Sequence, residues 1–110
     1  MAEKRTYSRY IREAATLLSR QIRLGRKQRK WTENELAQRA GISRATLQKI
    51  EKGDLGVAIG LVFEVAALVG VPLFEEERGS LAVHITRADD KLALLPQAVR
   101  KPGQPVNDDF

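Results

Sequence analysis

The sequence predicts an all-α fold: a five-helix domain with an N-terminal helical extension, followed by a C-terminal helix or short strand and an extended tail. Three observations predict it. From Trp31 to Gly53 the text WTENELAQRAGISRATLQKIEKG reads as two short helices joined by a tight turn, with start and stop signals at both. Ahead of it, apolar residues recur at three to four positions from Ile11 to Gly25. Behind it, the apolar stretch Val57 to Phe74 is interrupted by Glu64, two glycines and Pro72, which fits a buried helix and not a membrane span.

Residues 1–7 are expected to be loosely held. The first helix runs from Ser8 to about Arg29, with Ile11, Ala14, Ala15, Leu18, Ile22 and Gly25 as its apolar stripe. Arginines and lysines, among them Arg9, Arg12, Arg20, Arg23, Arg26 and Lys27, fill much of the remainder. They form a solvated basic face or, in part, a set of phosphate contacts. Thr32 opens the second helix, and Thr32 with Glu35 makes a capping box. Leu36, Ala37 and Ala40 face inward, and Gly41 supplies the positive φ of a sharp turn. Ile42 plugs that turn into the core. Ser43 caps the third helix, which ends at Gly53 and buries Leu47 and Ile50.

A loop from Asp54 to Gly60 leads to a fourth helix, roughly Gly60 to Val69. Its apolar content exceeds what one small core needs on one face, so part of it is expected in a dimer interface. Leu73 and Phe74 are expected to fold back as a short fifth turn or helix. In Ser80 to Leu95 two patterns compete. Leu81, Ile85, Ala88, Leu92 and Leu95 form a heptad-like seam, while Leu81, Val83 and Ile85 alternate as in a strand. Helix is favoured from Ala88 onward, and 81–86 is open to either. The chain thus divides into a helix-turn-helix DNA-binding domain at 8–77, a dimerisation or partner-binding segment at 78–95, and a flexible tail at 96–110.

Charge is unevenly spread. Residues 1–53 carry fourteen Lys or Arg against five Asp or Glu, a net +9. Residues 54–110 carry five against nine, a net −4. A basic half that also holds a groove-sized helix is the electrostatic footprint of a DNA binder. The acidic half is free to meet another protein. A helix fits the major groove, where each base pair shows its own donors, acceptors and methyls. The second helix of the pair presents Arg44, Ala45, Gln48 and Lys49 on or near its outer face. Arg44 is placed to donate two hydrogen bonds to guanine, and Ala45 to touch a thymine methyl. Lys49 and Gln48 reach bases or backbone. Ser43, Thr46 and Lys52 are candidate phosphate contacts, as is the helix start at Thr32, where backbone N–H groups are free. Two copies one helical turn apart would read a palindromic operator, so a homodimer on double-stranded DNA is expected.

No catalytic constellation is visible. The chain has no cysteine and one histidine, His84, which reads as a surface or interface residue. Asp89-Asp90 and Asp108-Asp109 read as solvated charge or helix caps. Neither phosphate-binding glycine signature occurs, so neither enzyme activity nor a cofactor is expected. The N-terminus lacks the apolar core of a signal peptide, and a cytoplasmic, non-membrane protein is the expectation. Phe110 is an aromatic in a polar tail: incidental, or a partner-binding anchor.

Residues 18–53, LSRQIRLGRKQRKWTENELAQRAGISRATLQKIEKG, resemble the Cro/C1-type (XRE, lambda repressor-like) helix-turn-helix family. The resemblance extends to Phe74 and rests on Leu36-Ala37, Ala40-Gly41-Ile42-Ser43, Thr46-Leu47, Ile50-Glu51 and Gly53. It implies a dimeric operator binder, usually a repressor, with base-reading positions at Arg44, Ala45 and Lys49. Where the family commonly has a phosphate-touching Gln, this chain has Glu33, which would repel a phosphate; Asn34 is the substitute contact. The flanks are similar to those of HipB-like antitoxins, which are paired with HipA-like serine/threonine kinase toxins. The similarity lies in Leu92–Pro96, Val99-Arg100-Lys101 and Asp108-Asp109-Phe110. It implies an antitoxin that binds the kinase and represses the shared operon. The alternatives are a plain XRE repressor with no toxin partner and a protein-only adaptor that has lost operator binding.

Overall fold

The computed structural model describes residues 5–74, 78–99 and 101–103. The chain divides into two compact units, Met1–Glu75 and Glu76–Phe110. Among the described residues there are five α-helices, a single 3-10 turn and no strand.

The first unit is built from four helices. α1 (Arg9–Gln28) starts where Ser8, in extended backbone, accepts a hydrogen bond from the Ile11 N–H at 3.4 Å. Chain direction changes after it at Lys30, which takes a left-handed φ of 58°. α2 (Glu33–Ala40) opens on the predicted capping box. The Thr32 hydroxyl accepts from Glu35 N–H at 3.1 Å, and the Glu35 carboxylate accepts from Thr32 N–H at 3.2 Å. Such a cap stabilises a helix by about 1 kcal/mol. Gly41 stops α2 at φ 70°, and the Ile42 N–H returns to the Ala37 carbonyl at 3.0 Å. α3 (Arg44–Glu51) follows at once, capped by Ser43 accepting from Thr46 N–H at 3.1 Å. α4 (Ile59–Leu68) completes the unit without a side-chain cap.

The core takes Ile22 from α1, Leu36 and Ala37 from α2, and Leu47 and Ile50 from α3. Val65 and Ala66 of α4 and the adjoining Val69 close it. Leu18, Trp31, Ile42 and Leu73 pack around it, half-buried. The backbones of α1 and the end of α4 approach closely at Gly25, where a Cβ would lie 2.6 Å from the Val69 carbonyl oxygen. Gly25 therefore belongs to the stripe for its lack of a side chain.

One expectation is corrected here and two are made specific. The apolar stripe of α1 is buried only in its second half: Ile22 and Gly25 are buried, whereas Ile11 and Ala14 are exposed. The front turns face Leu55, Val57, Ile59 and Phe63 across an open apolar groove of about 360 Å³. Arg26, grouped by sequence with the basic outer face, is buried instead. Of the turn or helix expected at Leu73 and Phe74, the structure has a bend and turn: Phe74 takes a φ of 67° and is exposed. As anticipated, α4 has more apolar surface than the core covers, and Ile59 and Leu61 remain exposed.

In the second unit a 3-10 turn at Arg78–Ser80 leads into α5 (Leu81–Ala93). The strand alternative for 81–86 is thereby excluded, and the helix begins seven residues before Ala88. Its backbone groups pair within the helix, whereas a lone strand would leave them without partners. The Thr86 hydroxyl donates to the Ala82 carbonyl one turn back, at 3.1 Å. No residue of α5 is buried. The tail residues Asp108, Asp109 and Phe110 lie outside the described residues. No helix among the described residues is long and apolar enough to cross a membrane.

Candidate nucleic-acid interface

α3 owes its orientation to its two faces. Leu47 and Ile50 lock into the core, and the opposite side turns outward. Arg44, Ala45 and Lys49 are exposed, and Gln48 and Thr46 are half-exposed. These are the positions expected from the sequence; Arg44, Ala45, Gln48 and Lys49 fall along one side of α3, with Thr46 at its margin. Thr32, Asn34, Ser43 and Lys52 are also exposed. The Ser43 hydroxyl is doubly engaged, accepting from the Thr46 N–H and donating to Thr46 Oγ1 at 2.9 Å. Thr46 keeps its own hydroxyl proton, which makes it the better donor of the two toward a phosphate.

Glu33 has a different environment from the one its sequence position implied. Its carboxylate accepts from the Arg44 guanidinium at 3.3 Å, joining the first turn of α2 to the first turn of α3. Arg44 is thereby held by a neighbour that is itself half-buried. In the free protein, part of the negative charge of Glu33 is balanced by the arginine expected to read a base.

The deepest polar contact was not foreseen. Arg26 Nε donates to Glu51 Oε2 at 2.7 Å, and its NH2 donates to Oε1 at 3.0 Å. NH1 donates to the Trp31 carbonyl at 3.0 Å. Side-chain exposure is 11% for Arg26 and 6% for Glu51, so both charges sit away from bulk water. The Glu51 hydrogen bond raises the pKa of Arg26, against the opposing effect of burial. The pair fixes the C-terminal end of α3 to α1. Around it opens a cleft of about 390 Å³ whose rim carries Arg23, Lys27, Gln48 and Lys52. Three cations thus border the outward side of α3, two of them from α1.

Trp31 anchors the link between α1 and α2. The Arg39 guanidinium lies 4.2 Å from its ring centroid, and that of Arg29 lies 5.9 Å away. Both distances are within cation–π range, and the stacked arginines keep their charge near the surface. Among the described residues no group of three or more His, Asp or Glu side chains is placed to hold a metal ion.

Residues 22–75 match the family model described as Helix-turn-helix. The chain carries a Cro/C1-type helix-turn-helix domain. The match spans the last third of α1 through α4, the same portion whose side chains build the core. The match supports a DNA-binding regulator of the XRE type, and α2 and α3 are the two helices of the motif. No curated protein and no solved structure shows a significant match to the chain.

Proposed function

We propose that this protein is a sequence-specific transcriptional repressor that binds a palindromic operator as a homodimer and acts as the antitoxin of a HipA-like kinase. The observation that carries the DNA-binding part is the outward row of Arg44, Ala45, Gln48 and Lys49 on a helix pinned from behind by Leu47, Ile50 and Glu51. A rigid helix can hold these side chains at fixed spacing in a major groove. Arg44 and Lys49 are the guanine-directed donors, Ala45 is the methyl contact, and Gln48 reads a base or braces the backbone. Thr32, Asn34, Ser43, Thr46 and Lys52 flank them as phosphate contacts, joined by Arg23 and Lys27 on the cleft rim. Binding to such a groove places the protein over a promoter and excludes polymerase.

The antitoxin reading rests on the flanks. The similarity of the sequence ending to HipB-like antitoxins and the acidic second half of the chain support a protein-binding role for residues 78–110. On this reading 78–95 serves dimerisation or partner binding, 96–110 is a tail, and Phe110 is its anchor in the kinase. The test is affinity purification of the tagged protein from its native host with mass spectrometry of what copurifies. A stoichiometric HipA-like kinase supports the antitoxin role. Recovery of DNA and self-association alone leaves the repressor without a toxin partner.

A further inference from the structure

α5 carries a row of apolar side chains of which Leu81 is half-buried and Ile85, Ala88 and Leu92 are exposed, Ile85 at 61% and Leu92 at 65%. Leu81, Ile85, Ala88 and Leu92 follow one another at four, three and four residues. That is the 3.5-residue period of a coiled-coil seam, with Ile85 and Leu92 at a positions and Leu81 and Ala88 at d positions. We infer that α5 is one strand of a parallel, in-register, two-stranded coiled coil formed with a second copy of this chain. The inference rests on the homodimer proposed above and specifies where and how it is made.

The side chains choose the occupant and its direction. A β-branched residue at a with leucine at d favours two parallel strands, and Ile85 with Leu81 has that arrangement. The flanking positions agree. His84 falls at g and Asp89 at e, so in a parallel pair each imidazole lies opposite the carboxylate of the other copy, five residues further on. In the antiparallel pair that keeps the seam, with Leu81 opposite Leu92 of the other copy, e faces e and sets Asp89 against Ala82, while g faces g and sets His84 against Lys91, so the His84–Asp89 pairing is lost. Val83 provides an internal control: it is also apolar and 48% exposed, but lies at f, away from the seam.

A pair of thirteen-residue helices is short for independent stability. Two copies held on adjacent half-sites of one operator experience a high effective concentration, roughly millimolar for short linkers. The coiled coil therefore forms together with operator binding and makes that binding cooperative.

The experiment uses the full chain, which has no cysteine of its own. Leu81→Cys and Leu92→Cys variants are oxidised singly and mixed, bound to a selected palindromic duplex, with mass measured by analytical ultracentrifugation. The inference expects each variant alone to form a disulfide-linked dimer, with no mixed product in excess. Linkage only in the mixture would mean an antiparallel pair and overturn it. No linkage in a protein that sediments as a dimer would keep the homodimer and overturn α5 as its seam. A monomer both free and on DNA would overturn the homodimer as well. Because no α5 residue is buried, Ile85→Asp and Val83→Asp both leave the first unit folded. Ile85→Asp is expected to abolish linkage through Leu92→Cys, and Val83→Asp to preserve it. Equal behaviour of the two would contradict the seam.

Discussion

Arg26 of α1 and Glu51 of α3 meet through two parallel hydrogen bonds of 2.7 and 3.0 Å, with only about a tenth of the arginine side chain exposed. The pair sets how far the C-terminal end of α3 stands from α1. Both partners are largely desolvated, so removing one leaves a buried charge without compensation. Glu51→Ala or Arg26→Ala is expected to lower stability by about 3–5 kcal/mol. The double change Arg26→Met with Glu51→Leu is expected to cost far less than the sum, because it removes both charges and retains volume. Urea denaturation of the four proteins checks this; additive losses would mean that the pair does not act as a unit.

Gly25 and Gly41 predict different costs for the same substitution. At Gly41 a Cβ would meet nothing within 4 Å, and the penalty comes only from the left-handed φ of 70°. Gly41→Ala is expected to lose about 1–2 kcal/mol. At Gly25 the backbone is helical but a methyl group would press on the Val69 carbonyl oxygen at 2.6 Å. Gly25→Ala must push α1 and α4 apart and is expected to be the more destabilising of the two. Thermal melts of both variants give the order.

Glu33 restrains Arg44 and also lowers the positive potential of the reading surface. Glu33→Gln keeps the shape and removes the charge. Affinity for an arbitrary duplex is expected to rise, since a repulsion with phosphates is lost. The ratio of affinities for selected and arbitrary duplexes is expected to fall, since Arg44 is no longer tied. Titrations on both duplexes at one fixed salt concentration decide it.

Lys52 and Lys27 border the cleft beside α3 and are proposed as phosphate contacts. Lys52→Ala is expected to weaken binding to all sequences alike and to reduce the slope of log affinity against log salt by about one. A change confined to one base position would instead place Lys52 among the readers.

Much of the motif was legible because its signals are local. Thr32, Glu35, Gly41, Ser43 and Gly53 mark helix ends through hydrogen bonds or φ values that span at most a few residues. The front of α1 shows the limit of periodicity, which identifies an apolar face but not whether anything covers it. Arg26 and Glu51 each stand four residues after a core residue, Ile22 and Leu47, on the buried stripe of their helices. Opposite charges on two core stripes are a readable signal that a count of surface arginines conceals. The Glu33–Arg44 contact spans eleven residues and depends on the angle between α2 and α3, which no local pattern encodes. Alternation at 81–86 favoured a strand as much as a helix because three residues are too few to separate periods of 2 and 3.5.

The central claim is that α3 reads DNA sequence through Arg44. The most direct test selects a binding site from a random duplex pool, then compares wild type with Arg44→Ala on that site and on variants changed at each base pair. The expected result is a loss of about 1–3 kcal/mol for Arg44→Ala, with discrimination relaxed at one base pair and kept elsewhere. No enriched site, or an Arg44→Ala protein with unchanged affinity and unchanged preference at every position, would contradict it.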